Sequence, residues 1–399
     1  MGKGLSKRSP HAESAMGGFV SGRTRTVEPS DTEEDPRFLP LEIRAPTPDA
    51  RCVEASLPSL VDDITPTKKF FIRSHFSVPR LSRESWTLSV DGEVEQPTVL
   101  RYDDLRAMRH RDLIVTMECA GNSRSTVRPK PEGVLWGHGA LSTGRWRGVP
   151  LCDVLLRSGV RPTGCEVLLR GADHGKEPGV EGDLTYEMSI DVEKALHPDT
   201  LLVDEMNGEP LSPNHGFPVR AIVPGYYGMA SVKWLTGVSV LSRPFEGHFR
   251  RRAYVYIREG QRTEERKAPA TFIRVKSLIN WPREGQVLAP GPHVIRGVAW
   301  SGEAPITRVE VSVQPPSGAG EVWHLARLRR LPSRYAWCHW ELLCDLPDPG
   351  FYVVRVRATD ELGYCQPVQA EWNFRGIGNN SIHCVPIEVS SQGPPDSPL

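Results

Sequence analysis

The chain has 399 residues, more than one hydrophobic core normally serves, so two domains are expected. Its 49 lysines and arginines balance 49 aspartates and glutamates, and this zero net charge argues against non-specific binding to nucleic acid or to a membrane surface. No apolar stretch is long enough to span a bilayer and no signal peptide is visible, so we expect a soluble protein of the cytoplasm or of an organelle lumen.

The first part of the chain combines a polar tail with a mixed domain. Residues 1–48 are rich in Ser, Arg, Thr, Glu and Pro and poor in aromatics, which predicts a disordered tail. Helical and strand patterns mix from residue 49 to residue 260, which predicts an α+β domain. Its predicted elements are, in chain order, a strand at 86–92, a helix at 102–110, a strand at 113–118, a helix at 151–158 that Gly159 stops, a strand at 166–170, a helix at 189–196, and strands at 219–223 and 238–241.

The second part of the chain has a different residue pattern. Residues 261–268 are charged and resemble a linker. Residues 269–390 alternate apolar and polar positions between Gly/Pro turns, which predicts an all-β immunoglobulin-like sandwich. Its predicted strands lie at 272–276, 293–300, 308–313 and 352–358. Residues 391–399 are predicted to form a second disordered tail.

Cys119 is the most informative single residue. It ends the strand predicted at 113–118 and is followed by a glycine turn and Arg124. Open sheets commonly build sites at the carboxyl ends of their strands, and a thiolate suits a soft or high-valent metal. A buried, unreactive cysteine is the alternative, because free cysteines are among the most buried residues. The eight cysteines include no C-x-x-C pair, which argues against a zinc site or a c-type haem.

The residues around Cys119 carry a family resemblance. The run Cys-Ala-Gly-Asn-Ser-Arg at 119–124 resembles the signature of the sulfite oxidase family of molybdopterin-dependent oxidoreductases. Further stretches are similar to motifs of this family and follow in its order: 70–75, Trp136 with 139–146, 205–211, 215–220, 223–225, 232–235 and 248–254. The resemblance implies a sulfite-oxidase-type molybdopterin-binding catalytic domain followed by an immunoglobulin-like domain that mediates homodimerisation.

The same resemblance implies roles for ten residues. It makes Cys119 the molybdenum ligand and part of the cofactor site, together with His75, Asp173, His215, Arg220 and Lys233. It assigns the substrate pocket to Arg73, Arg124, Trp136 and Tyr254. Arginine suits a substrate pocket for an anion because its planar guanidinium can donate two parallel hydrogen bonds to an oxyanion and stays charged. The residue types alone leave plainer interpretations open: surface arginines, a structural histidine, a turn-forming aspartate, and a strand tyrosine for which Tyr256 is a competing register.

The implied reaction is the oxidation of a small anion, sulfite, to sulfate with a molybdenum-molybdopterin (Mo-pyranopterin) cofactor. The chain departs from the family at Ser74 and Ser123. It also lacks, near Gly302, an arginine that animal and plant members of the family carry there, so one pocket cation is expected to be missing. With no room for haem or flavin domains, electrons are expected to go to an external acceptor, a cytochrome or oxygen. The alternatives are a molybdenum enzyme acting on a sulfoxide or nitrate, and a cofactor-free interaction scaffold.

Overall fold

The computed structural model describes residues 39–258, 260, 267–318 and 320–393. Most of both predicted tails and residues 261–266 of the predicted linker lie outside these ranges. The predicted end of the first tail at residue 48 is too late, because Leu41–Glu42 forms a strand that pairs with Arg51–Glu54. No helix in the described ranges is long and apolar enough to cross a membrane.

The first domain consists mainly of short strands with three short helices. Its strands are β1 Leu41–Glu42, β2 Arg51–Glu54, β3 Ile72–Ser74, β4 Thr87–Gly92, β5 Thr98–Arg101, β6 Arg111–Glu118, β7 Leu141–Pro150, β8 Glu166–Gly175, β9 Leu184–Asp191, β10 Leu201–Met206, β11 Glu209–Pro210, β12 Arg220–Ile222, β13 Leu235–Leu241 and β14 Val255–Tyr256. Its helices are α1 Tyr102–Arg106, α2 Leu151–Ser158 and α3 Val192–Ala195.

Three sheets of this domain contribute to the site. One runs β11-β10-β7-β6, with β12 beside β10; the second runs β5-β4-β13-β8-β9; the third is β1-β2-β3. Arg73 lies in β3, Cys119 follows β6, and Asp173 lies in β8. The cavity described below is therefore assembled from three separate sheets rather than from one continuous edge.

Of the three predicted helices, α2 forms at its predicted position, and the helix predicted at 102–110 forms only over Tyr102–Arg106. The helix α2 ends where Gly159 adopts a left-handed φ of 69°. The helix predicted at 189–196 is wrong over its first half, since β9 continues to Asp191 and only four residues of helix follow. Ile190 is fully buried and pairs with Val167 of β8, so the sheet contact outweighs the helical pattern.

The second domain is a sandwich, as predicted. Its strands are β15 Ala268–Pro269, β16 Lys276–Trp281, β17 Val287–Leu288, β18 Gly291–Trp300, β19 Ile306–Gln314, β20 Trp323–Leu325, β21 Arg327–Arg330, β22 Cys338–Leu346, β23 Gly350–Asp360 and β24 His383–Val389. β15 pairs with β14 of the first domain.

The sandwich has two sheets, β16-β18-β22-β21 and β17-β24-β23-β19-β20. Ile295, Val309 and Trp340 belong to the core that both sheets bury. The strand predicted at 272–276 starts only at its last residue, and Phe272 instead forms a single bridge with Tyr226.

Candidate active site

The loop that follows β6 presents Cys119. Its backbone N–H donates to the carbonyl of Ala140 at 2.9 Å, and the N–H of Asn122 donates back to the carbonyl of Cys119 at 2.9 Å. The residue is only 8% exposed, yet it lines a cavity. Burial raises the pKa of the Cys119 thiol, and the positive charge of Arg124 opposes this effect. An additional positive charge, such as a bound metal ion, would favour the thiolate.

The cavity beside Cys119 gathers most of the predicted site residues. Its described lining residues all lie between Phe70 and Tyr254, in the first domain. They include eight of the ten predicted residues: Arg73, His75, Cys119, Asp173, His215, Arg220, Lys233 and Tyr254.

Arg124 and Trp136 are not among these lining residues. Trp136 is fully buried in the hydrophobic cluster around Cys119. The guanidinium of Arg124 donates to the carbonyls of Val134 at 2.6 Å and of Arg375 at 2.9 Å. A Cβ at Gly121 would lie 2.5 Å from the same guanidinium, so a larger residue there would displace the end of the Arg124 side chain. Both residues support the cysteine loop instead of facing the cavity.

The cavity holds cations whose partners are neutral. Arg220 donates to the carbonyls of His215 at 3.1 Å and Ser231 at 2.8 Å. Lys233 donates to the hydroxyl of Ser74 at 2.7 Å and to the carbonyl of Asn214 at 3.0 Å. Burial lowers the pKa of Arg220 to about 9, and burial together with the charge of Arg220 lowers that of Lys233 to about 7. An anion bound beside these groups would reverse both shifts.

Acidic and imidazole groups in the cavity are also perturbed. Burial raises the pKa of Asp173 to about 6 against the opposing charge of Lys233, and its buried Oδ1 has no hydrogen-bond partner among the described residues. Burial and the charges of Lys233 and Arg220 lower the pKa of His215 to about 3. A buried acceptor without a partner is costly, so Asp173 is suited to receive a ligand N–H or O–H.

Tyr254 reaches the cavity from a turn rather than from a strand. It ends a π-helical turn at Phe249–Ala253, and its N–H donates to the carbonyl of Phe249 at 3.1 Å. Its hydroxyl lies 2.7 Å from Nε2 of His75, and Nδ1 of His75 lies 3.0 Å from Nη2 of Arg73. The three predicted residues therefore form one polar cluster.

Sequence reasoning missed two groups that touch this site. Glu177 places Oε1 2.5 Å from Nδ1 of His75; only its position in a Gly-Lys-Glu-Pro-Gly loop could have pointed to it. The second group is a buried ion pair, with Nζ of Lys276 3.0 Å from Oε1 of Glu118. Its signal was a charge inside each of two apolar runs, where charges are rarely buried unless paired.

The sandwich domain contacts the cysteine loop from outside the cavity. Besides Lys276, the backbone N–H of Gly378 donates to the carbonyl of Ala120 at 2.8 Å. The side-chain amide of Asn379 donates to the carbonyl of Ser123 at 3.0 Å. These contacts fix the position of the loop relative to the second domain.

Comparisons with known proteins define the class. Residues 75–249 match the family model described as an oxidoreductase molybdopterin binding domain. Residues 268–390 match the model of a Mo-co oxidoreductase dimerisation domain. The thiol, the buried cations and these matches together make the chain a molybdopterin-binding oxidoreductase.

The chain is similar to individual proteins along most of its length. It is 36% identical to human mitochondrial sulfite oxidase over 348 residues, covering 82% of this chain and 62% of that protein. It is 34% identical to the nitrate reductase [NADH] 2 of Phaseolus vulgaris over 359 residues, covering 82% and 39%. The crystal structure of the sulfane dehydrogenase SoxCD from Paracoccus pantotrophus superimposes with a TM-score of 0.75 at 25% identity, covering 94% of this chain and 96% of that one.

The chain thus belongs to the sulfite oxidase family of molybdopterin-dependent oxidoreductases, whose cofactor is molybdenum-molybdopterin. It spans less than two thirds of the length of the human relative.

Proposed function

We propose that this protein oxidises sulfite to sulfate and passes the electrons to an external acceptor. One observation carries the proposal: a single cavity brings a candidate metal-binding thiol, Cys119, together with an anion-binding arginine, Arg73, and a hydroxyl donor, Tyr254. Such a set suits a small oxyanion held beside a metal. Sulfite oxidases are among the relatives at 36% identity.

The residues of the cavity fit the cofactor. Arg220 and Lys233 are cations with neutral partners, which suits a phosphate group. Asp173 offers an unpartnered acceptor, which suits the N–H groups of a pterin ring. We assign the phosphate to Arg220 and Lys233, the ring contacts to His75, Asp173 and His215, and the metal to Cys119. When bound, the cofactor supplies the two-electron oxygen-atom chemistry.

The protein contributes binding and orientation of the substrate. Arg73 holds the sulfite anion by charge-assisted hydrogen bonds, which both positions it and offsets its negative charge. The hydroxyl oxygen of Tyr254 lies 2.7 Å from Nε2 of His75 and accepts a hydrogen bond from the water that is consumed. Arg124 and Trp136 act on this step through the cysteine loop that they support.

Two partners complete the proposal. A homodimer formed through residues 269–390 is supported by the match of this region to a dimerisation domain. Light scattering at micromolar concentration tests it, and a monomeric mass of the full chain would contradict it. The electron acceptor is proposed to be a cytochrome or oxygen. Each can be added to enzyme that sulfite has reduced, and the acceptor is the one that reoxidises it.

Metal analysis and substrate competition test the function. We expect about one molybdenum per chain, sulfite-dependent reduction of ferricyanide, and no comparable turnover of nitrate or a sulfoxide. Turnover of nitrate instead would favour the activity named for the bean relative. A purified protein that binds no molybdenum, even when the cofactor is supplied, would favour the cofactor-free scaffold.

A further inference from the structure

A carboxylate that the proposed mechanism does not use contacts His75, one of the residues that line the cavity. Glu177 stands between the exposed residues Lys176 and Pro178, and its side chain is 16% exposed. Its Oε1 lies 2.5 Å from Nδ1 of His75. The other ring nitrogen, Nε2, lies 2.7 Å from the hydroxyl of Tyr254. The three side chains form a continuous line of polar contacts from the cavity to its rim.

The contact with Glu177 determines the tautomer of His75. An ionised carboxylate can only accept a hydrogen bond, so Nδ1 carries the proton and Nε2 is left as an acceptor. In the other tautomer, Nδ1 would accept a hydrogen bond from Arg73, but its lone pair would also face the carboxylate oxygen of Glu177, which is repulsive. Burial opposes ionisation of Glu177, but the hydrogen bond from His75 and the charge of Arg73 hold its pKa below the usual value. The carboxylate is therefore ionised at neutral pH.

The surroundings of His75 keep it neutral and held in place. Burial and the charge of Arg73 lower the pKa of His75 to about 4, while Glu177 opposes this shift. The imidazole packs against the ring of Phe249, with centroids 4.7 Å apart. The titratable and charged groups that face it come from several elements: Arg73, Glu177, Tyr186, His248 and Tyr254. A substrate anion on Arg73 would offset the main opposing charge and make His75 more basic.

We propose, resting on the function proposed above, that Glu177 is a positioning residue: it holds His75 as the Nδ1–H tautomer so that Nε2 accepts a proton through the Tyr254 hydroxyl during turnover. The oxidation of sulfite consumes one water, forms one S–O bond and releases two protons and two electrons; the external acceptor takes up both electrons, which requires two molecules of it if it is a cytochrome. One O–H bond of the water breaks as its proton passes to the Tyr254 oxygen and the Tyr254 proton passes to Nε2. Glu177 stabilises the resulting imidazolium, which gives its proton to a solvent base, and the second proton of the water also leaves to solvent.

The test compares Glu177→Gln, Glu177→Leu and a control variant with the wild-type holoenzyme by two measurements. Nitrogen NMR of ¹⁵N-histidine-labelled protein, assigned with His75→Asn, reports the tautomer without any substrate. We expect the Nδ1–H form in the wild type and in Glu177→Gln, whose amide oxygen still accepts, and its loss in Glu177→Leu. The pH profile of kcat is the second readout, because removing the negative charge lowers the pKa of His75. The exposed Glu181→Gln in the same loop is the matched control.

The expected kinetic effects are graded. Glu177→Leu should lower kcat roughly a hundredfold or more, the range of a lost proton acceptor, while Glu177→Gln should lower it less and move the acidic limb of the profile to lower pH. The Nε2–H tautomer in the wild type would overturn the proposal, as would an unmoved acidic limb or a kcat of Glu177→Leu within about twofold of wild type. If the wild type fails to oxidise sulfite, the proposed function falls on its own, and the tautomer measurement still decides whether Glu177 orients His75.

Discussion

The buried ion pair behind the cysteine loop permits a quantitative prediction. Nζ of Lys276, in the second domain, lies 3.0 Å from Oε1 of Glu118 and 2.8 Å from the hydroxyl of Ser123. Glu118 directly precedes Cys119 and also accepts from Nε1 of Trp300 at 2.9 Å. Both charged side chains are only 3% exposed. The pair is therefore fully desolvated and crosses the domain boundary at the site.

Removing one partner leaves the other charge buried alone. For Lys276→Met we expect a loss of about 3–5 kcal/mol, the usual cost of an uncompensated buried charge. Replacing both members, with Glu118→Gln and Lys276→Met together, should cost clearly less, because a neutral pair of similar volume needs no counter-charge. For a domain of about 200 residues, the single variant should melt roughly 6–20 °C lower.

The assay is thermal or urea unfolding of the holoenzyme for the wild type, both single variants and the double variant. The exposed Lys130→Met controls for the loss of a lysine as such. The two single losses should add to well more than the loss of the double variant, which gives the coupling free energy. A cost for Lys276→Met below about 1 kcal/mol would refute the reasoning, because exposed pairs have that value.

The remaining predictions concern the cavity. Cys119→Ser should abolish turnover without unfolding the protein, because a hydroxyl is a harder and less ionised ligand; molybdenum content and sulfite-dependent ferricyanide reduction check this. Arg73→Gln should raise the KM for sulfite roughly ten- to a hundredfold, for a lost charge-assisted contact of about 1.5–3 kcal/mol, whereas Arg124→Gln should lower the melting temperature more than it raises KM. Because the pKa of Lys233 falls to about 7 in the folded protein, keeping this lysine buried lowers the free energy of unfolding. This loss of stability is largest below about pH 7 and shrinks as the pH rises toward the pKa of lysine in the unfolded chain. Lys233→Met should therefore raise the melting temperature of the cofactor-free protein more at pH 6 than at pH 9, while reducing the molybdopterin that co-purifies.

Sequence patterns predicted the elements whose local signals agree with their tertiary contacts. The β-branched run before Cys119 forms β6, and α2 ends at Gly159. The pattern failed at 189–196, where the helical spacing of apolar residues was overridden by pairing between β9 and β8. A one-dimensional pattern carries no information about which neighbouring strand supplies the hydrogen bonds, so such errors concentrate where an element changes type.

The motifs selected residues that gather at one cavity, but they did not predict which way every side chain turns. Eight of ten predicted residues line one cavity, because each lies in a motif near the end of a strand or in a turn. Arg124 follows Cys119 closely, yet its side chain turns to the carbonyls of Val134 and Arg375. The direction of the Arg124 side chain is therefore set by partners that lie 10 and 251 residues away along the chain. Glu177 was missed for the same reason, since its contact with His75 joins residues that are 102 positions apart in the chain.

The sequence predicted that the second domain does not supply an arginine to the substrate pocket near Gly302. At Gly302 a Cβ would lie 2.1 Å from the carbonyl oxygen of Gly225, so the two domains meet there through bare backbone. The second domain does supply a cation to the site, Lys276, but Glu118 binds it outside the described cavity lining. A cation in that position cannot hold a substrate anion and instead fixes the loop that presents Cys119. Substitutions at Lys276 should consequently change kcat and stability while leaving the KM for sulfite close to that of the wild type.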